Sequence, residues 1–137
     1  MDLQNLAYAI TQVAHNFGAV AVLGGALSAL WLIPGQAGMQ RALAWLVLVG
    51  WTIQAASGAA FGAVSWLYYG QFPDIHGIAI AALVIKVACA MAGFAITAVY
   101  LRSASVWREQ GRQTAWRALA LLAATALSAA AFLRWFS

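Results

Sequence analysis

Four long apolar stretches leave this chain few ways to fold. They run from Leu6 to Ile33, from Ala42 to Tyr69, from Gly77 to Leu101 and from Ala115 to Phe132, with the fourth helix expected to reach Trp135. A helix rises 1.5 Å per residue, so about 20 residues cross the hydrocarbon core of a bilayer. All four stretches are near or above that length. Only 7% of the residues are charged while 65% are hydrophobic, and a soluble domain carries roughly a quarter of its residues charged. The stretches are rich in Ala and Leu and do not alternate polar with apolar, as the strands of a membrane barrel must. The expected fold is therefore all-α. One transmembrane four-helix bundle takes up residues 1–137, with helices over 6–33, 42–69, 77–101 and 115–135.

The connections can be read from their turn residues. Pro34-Gly35-Gln36-Ala37-Gly38 ends the first stretch and turns the chain, and Gly70 to His76, with Pro73, ends the second. The third, Arg102 to Thr114, is longer and polar, and its Ser105–Arg112 run suits a short amphipathic helix lying at the interface. Connections 1 and 3 share one side of the membrane, with Arg41, Arg102, Arg108, Arg112 and Arg117. The other side holds both termini and connection 2, with Arg134 alone. The positive-inside rule then places connections 1 and 3 in the cytoplasm and both termini in the periplasm of a bacterial inner membrane. This asymmetry accounts for the net charge of +4 without nucleic-acid binding. Lipid is the expected partner, with room for a membrane-protein partner or a second copy of the chain. Asp2 stands where a secretory leader carries Lys or Arg, and the first apolar stretch is longer than a leader's.

Trp31, Trp45, Trp66, Trp116 and Trp135 fall near helix ends, as interfacial anchors do. Gly58-x-x-x-Gly62, Ala14-x-x-x-Gly18 and Gly24-x-x-x-Ser28 have the spacing that lets helix backbones approach closely in lipid. Cys89 is the only cysteine, so no intrachain disulfide forms, and it reads as a small packing residue. Met1, Met39 and Met91 are scattered and make no soft-ligand copper relay.

Two ionisable residues lie deep in the apolar stretches, and such groups are functional candidates by default. His15 is nine residues past Leu6, and Lys86 is nine past Gly77. Both helices enter from the same side, so both side chains sit roughly 13 Å below that boundary. Gln12, one turn before His15, and Gln54, near the middle of helix 2, add polar groups at similar depth, with His76 at the mouth above. The set reads as a polar pocket open toward the periplasm. His15 is either a structural hydrogen-bonding residue or a ligand for haem, a metal or a substrate. Lys86 calls for a polar partner or a bound anion. His76 is either a solvated loop residue or a second metal ligand.

The run from His15 through Asn16-Phe17-Gly18 to Gly24-Gly25 resembles the opening helix of the copper resistance D (CopD) family. Lys86 to Gly93, followed by Arg102, is similar to that family's Lys-containing helix. A His and a Lys on the first and third of four helices also resemble the HemJ-type protoporphyrinogen oxidases, although Val84 stands where those proteins carry a second His. The resemblance implies a four-helix unit whose His/Lys site serves copper or a tetrapyrrole. The leading expectation is redox-linked binding of haem b or a related porphyrin, with His15 as axial ligand and Lys86 paired with a propionate. The alternatives are copper uptake or handling, and a non-catalytic subunit of a larger membrane complex.

Overall fold

Asp2 starts the first helix by accepting a hydrogen bond from the Gln4 main-chain N–H at 3.0 Å, which satisfies one of the orphan donors at a helix N-terminus. The computed structural model describes residues 2–136. It contains α1 (Leu3–Trp31), α2 (Ala37–Tyr69), α3 (Ile78–Ser103) and α4 (Glu109–Trp135), with one 3₁₀ turn, Ala104–Val106, between α3 and α4. The shortest helix has 26 residues, or about 39 Å of rise. All four are long and apolar enough to cross a membrane.

Three helices begin earlier than their apolar stretches suggest. α1 starts at Leu3 rather than Leu6, α2 at Ala37 rather than Ala42, and α4 at Glu109 rather than Ala115. Polar sequence does not by itself end a helix. In α4 the first turn is held by its own polar residues: Arg112 pairs with Glu109, and Gln113 donates to the same carboxylate. The third connection is correspondingly tight. Ser105–Arg112 is no separate interfacial helix but is divided between the 3₁₀ turn, Trp107, Arg108 and the start of α4. Gly70 closes α2 in the left-handed region at φ 68°, its N–H on the Trp66 carbonyl, a conformation glycine adopts without steric cost.

The helices form an up-down bundle. α1 packs on α2 and α4, and α3 packs on α2 and α4, so α1 and α3 face each other across a diagonal. Large apolar side chains cover the outside, among them Phe17, Val20, Leu67, Met91 and Leu121. Water would penalise such a surface, and hydrocarbon does not. The inside is mostly small: Ala26, Ala29, Ala44, Ala79, Ala82 and Ala123 are all buried.

Close approach bears out Gly18, of the Ala14-x-x-x-Gly18 spacing, but not Gly24, Gly58 or Gly62. α1 and α2 cross at Gly18 and Gly50, where a Cβ on either would lie 3.1–3.2 Å from the other's carbonyl oxygen. Gly58 and Gly24 have nothing within 4 Å of a built Cβ, and Gly62 meets only the Phe72 ring. On α3, Gly93 forms the notch that receives the Trp51 ring.

The core lies toward the end that carries connections 1 and 3. Trp116 is fully buried there, not an interfacial anchor, and its ring meets Tyr100 edge-on at 5.0 Å. Trp31, Trp45, Trp66 and Trp135 are exposed, as anchors should be. Gln40 is also buried. Its amide donates to the Ala29 and Ile33 carbonyls at 3.2 and 3.4 Å, satisfying acceptors at the end of α1. Its carbonyl accepts from the Tyr100 hydroxyl at 3.1 Å. Tyr100→Phe should therefore leave the Gln40 oxygen buried without a donor and cost about 1–3 kcal/mol. The readout is thermal unfolding in detergent; an unchanged midpoint would mean that this bond contributes nothing.

Candidate functional site

His15 projects from α1 into the half of the bundle nearer the termini, and Lys86 reaches it from α3 across the diagonal. The Lys86 Nζ lies 2.9 Å from His15 Nε2. The other ring nitrogen, Nδ1, lies 2.7 Å from the Ser57 hydroxyl on α2. Ser57 has one proton, and its oxygen is 2.6 Å from the Ile53 carbonyl one turn earlier. A hydroxyl donating to that carbonyl has only lone pairs left for the imidazole, so Nδ1 carries the ring proton. The Nε2 lone pair then faces Lys86 and accepts from it. The result is a directed chain: Lys86 to His15, His15 to Ser57, Ser57 to a helix carbonyl.

Two further contacts fix the imidazole. Gln54 donates its side-chain amide to the His15 main-chain carbonyl, tying α1 to α2 at this level. Phe61 meets the imidazole edge-on at 5.8 Å, and Tyr8 stacks on Phe61 at 6.3 Å. His15 and Lys86 are each only partly covered, so the pair is not sealed from the outside of the bundle.

Not every expected member is present. Gln12 does not join the pocket: it is exposed, and its amide donates to Asn16 Oδ1 at 2.7 Å. This single bond joins the two side chains at i and i+4 on the outer face of α1. His76 is also elsewhere. It sits on connection 2 beside Asp74 at 3.3 Å, with both side chains at least 80% exposed, while Lys86 lies eight residues, about 12 Å, further along α3 from Ile78. Among the described residues, no three His, Cys, Asp or Glu side chains come together to hold a metal. Ser57 was the partner that sequence reasoning missed. The signal available was its place one turn after Gln54, on the face of α2 that meets His15.

The electrostatics of the pair follow from what is not beside it. The chain has three acidic residues, Asp2, Asp74 and Glu109. Asp2 caps α1, Asp74 is on connection 2 with His76, and Glu109 pairs with Arg112 at the opposite end of the bundle. The chain's own carboxylates are therefore engaged elsewhere, and Lys86 meets an imidazole. A charged ammonium in a low-dielectric setting calls for an anion. The site thus offers an imidazole of fixed tautomer and, beside it, an amine paired with no side-chain carboxylate among the described residues. No family model, curated protein or solved structure matches this chain.

Proposed function

We propose that the His15–Lys86 pair binds an anionic tetrapyrrole, haem in the first instance, in a multi-pass protein of a bacterial inner membrane. The observation that carries this reading is an imidazole held between the Ser57 hydroxyl at Nδ1 and the Lys86 amine at Nε2. A free copper ion needs several protein ligands, and a single accessible His does not supply them. A haem brings four nitrogens of its own and needs one axial ligand from the protein. His15 would supply that ligand through Nε2. Ser57 would hold the ring proton on Nδ1, the second partner that metal-bound histidines usually have. Lys86 would leave Nε2 and pair with a propionate, its four-carbon stem allowing the move. When bound, haem supplies one-electron chemistry; the chain's part is to hold, orient and charge-balance it. The likeness of the first and third helices to copper resistance D and HemJ-type proteins agrees with such a site.

The test is an absorption scan of the full chain, purified from cells able to make haem and repeated after adding hemin, with metal analysis on the same sample. A Soret band that saturates at one haem per chain is expected. Stoichiometric copper without a Soret band would replace haem with copper. Neither would leave the pair a structural contact between α1 and α3.

Orientation is part of the proposal. The five arginines at one end support connections 1 and 3 in the cytoplasm, which puts the His/Lys site in the periplasmic half. With Cys89 replaced by Ala, a periplasmic thiol reagent should label a cysteine introduced at Asp74 and leave one at Gln110 unlabelled. The reverse pattern would invert the topology and place the site in the cytoplasmic half.

A further inference from the structure

The end of the bundle opposite the His/Lys site holds a second polar feature. A half-open cleft of about 210 Å³ lies between the start of α2 and the turn from α3 to α4, lined by Ala37, Gly38, Arg41, Tyr100, Ser105 and Arg112. Donors of three kinds converge on it. α2 begins at Ala37 with no side-chain cap from Gln36, so its first-turn N–H groups lack a side-chain acceptor. Arg41 gives one N–H to the Leu101 carbonyl at 3.0 Å, which holds the guanidinium across the cleft. Arg112 gives Nη1 to the Trp107 carbonyl at 2.9 Å and Nη2 to Glu109, and its Nε is buried without a partner among the described residues. The exposed Ser105 hydroxyl is a further donor at the rim.

We propose that this cleft binds a phosphate group, either the phosphodiester of an anionic phospholipid or the free anion. Two guanidinium groups against the one carboxylate of Glu109 leave a net +1 beside the cleft. Guanidinium groups match phosphate oxygens in shape and charge. A helix N-terminus adds N–H donors and the positive end of its dipole. The cleft is smaller than the pockets that enclose drug-sized ligands and suits one phosphate headgroup. Its place is also suited to lipid: Arg41 lies four residues, about 6 Å, into α2, the depth of a headgroup at a helix end.

The test is thermal unfolding of the full chain in dodecyl maltoside, titrated separately with short-chain phosphatidylglycerol, phosphatidylcholine of equal chain length and inorganic phosphate. A ligand that binds the folded state raises the midpoint saturably. Stabilisation by phosphatidylglycerol alone identifies a lipid site, and stabilisation by inorganic phosphate as well identifies a site for the free anion. In either case Arg41→Gln and Ser105→Asp should each weaken the effect about tenfold or more, the usual worth of one charge-assisted hydrogen bond. Arg41→Gln also removes a bond to α3 and can fail to fold. Ser105→Asp changes an exposed residue and places a negative charge in the cleft, so it decides the matter alone. No stabilisation by either anionic probe overturns the proposal. So does equal stabilisation by phosphatidylcholine, or a response that Ser105→Asp leaves unchanged.

Discussion

His15→Ala is expected to abolish haem retention while the helices remain inserted. Insertion is driven by the apolar side chains of four helices, to which one imidazole adds little. In the proposed site haem retention would rest on one bond to His15 Nε2, the ring nitrogen that does not face Ser57. Lys86→Met keeps that nitrogen and removes only the charge partner, so it should weaken binding by about tenfold or more, without loss of the Soret band at high hemin. Ser57→Ala should fall in the same range, about 10–100-fold, because the outer partner of a ligating histidine sets its tautomer and orientation. His76→Ala should have no effect, since His76 pairs with Asp74 in exposed sequence. Hemin titration of the four variants gives the order directly. Equal losses for His15→Ala and His76→Ala would point to a bis-histidine site. Full retention by folded His15→Ala would reject His15 as the ligand.

The second large effect is expected at Gly93. A Cβ there would overlap the Trp51 indole at Cε2, Cζ2 and the indole nitrogen. Trp51 is 2% exposed and has no open space to retreat into. Gly93→Ala should therefore force α2 and α3 apart and destabilise the bundle by about 1–3 kcal/mol, the usual cost of overpacking. Trp51 Nε1 is buried with no hydrogen-bond partner among the described residues, so Trp51→Phe loses no bond and shortens the ring at the point of collision. The double variant Gly93→Ala/Trp51→Phe should recover part of the loss, a coupling that residues in contact show and distant ones do not. Unfolding of the four proteins in detergent completes the cycle. Strict additivity would mean that the notch does not set the α2–α3 distance.

The helices and the His/Lys depth were legible in the sequence because both follow from simple counting. Apolar length gives the spans, and equal offsets from the start of the first and third apolar stretches put His15 and Lys86 at one level. Which way a polar residue turns was less legible. Gln12 and Gln54 looked equivalent beside His15, yet Gln12 found Asn16 on its own helix and Gln54 found a main-chain carbonyl on the next. Local pairing of that kind depends on rotamers, not on spacing. The close glycine contacts other than that of Gly18 were also hidden. Gly50 and Gly93 belong to no G-x-x-x-G pair but lie where the helices cross, while Gly58 and Gly62 have the spacing and no helix against them. Trp116 lies near a helix end like the other four tryptophans named as anchors, and its burial beside Tyr100 shows only in the packing of the core.

Packing on α1 is graded along the bundle axis. On α1 the buried positions begin only at Gly18, so the turns before it, which carry His15, have no side chain sealed in the interior. The interlocked layer of Gln40, Tyr100 and Trp116 is at the other end. α1 and α2 adhere as one hairpin and α3 and α4 as another, with fewer contacts between the hairpins. Mechanically this is a pair of tongs, stiff at the handle and compliant at the tips, because local opening costs least where buried contacts are fewest. His15 and Lys86 sit on opposite tips. A small rotation about the handle would separate Nζ from Nε2 without disturbing the interlocked layer, so the bond between His15 and Lys86 also acts as the latch.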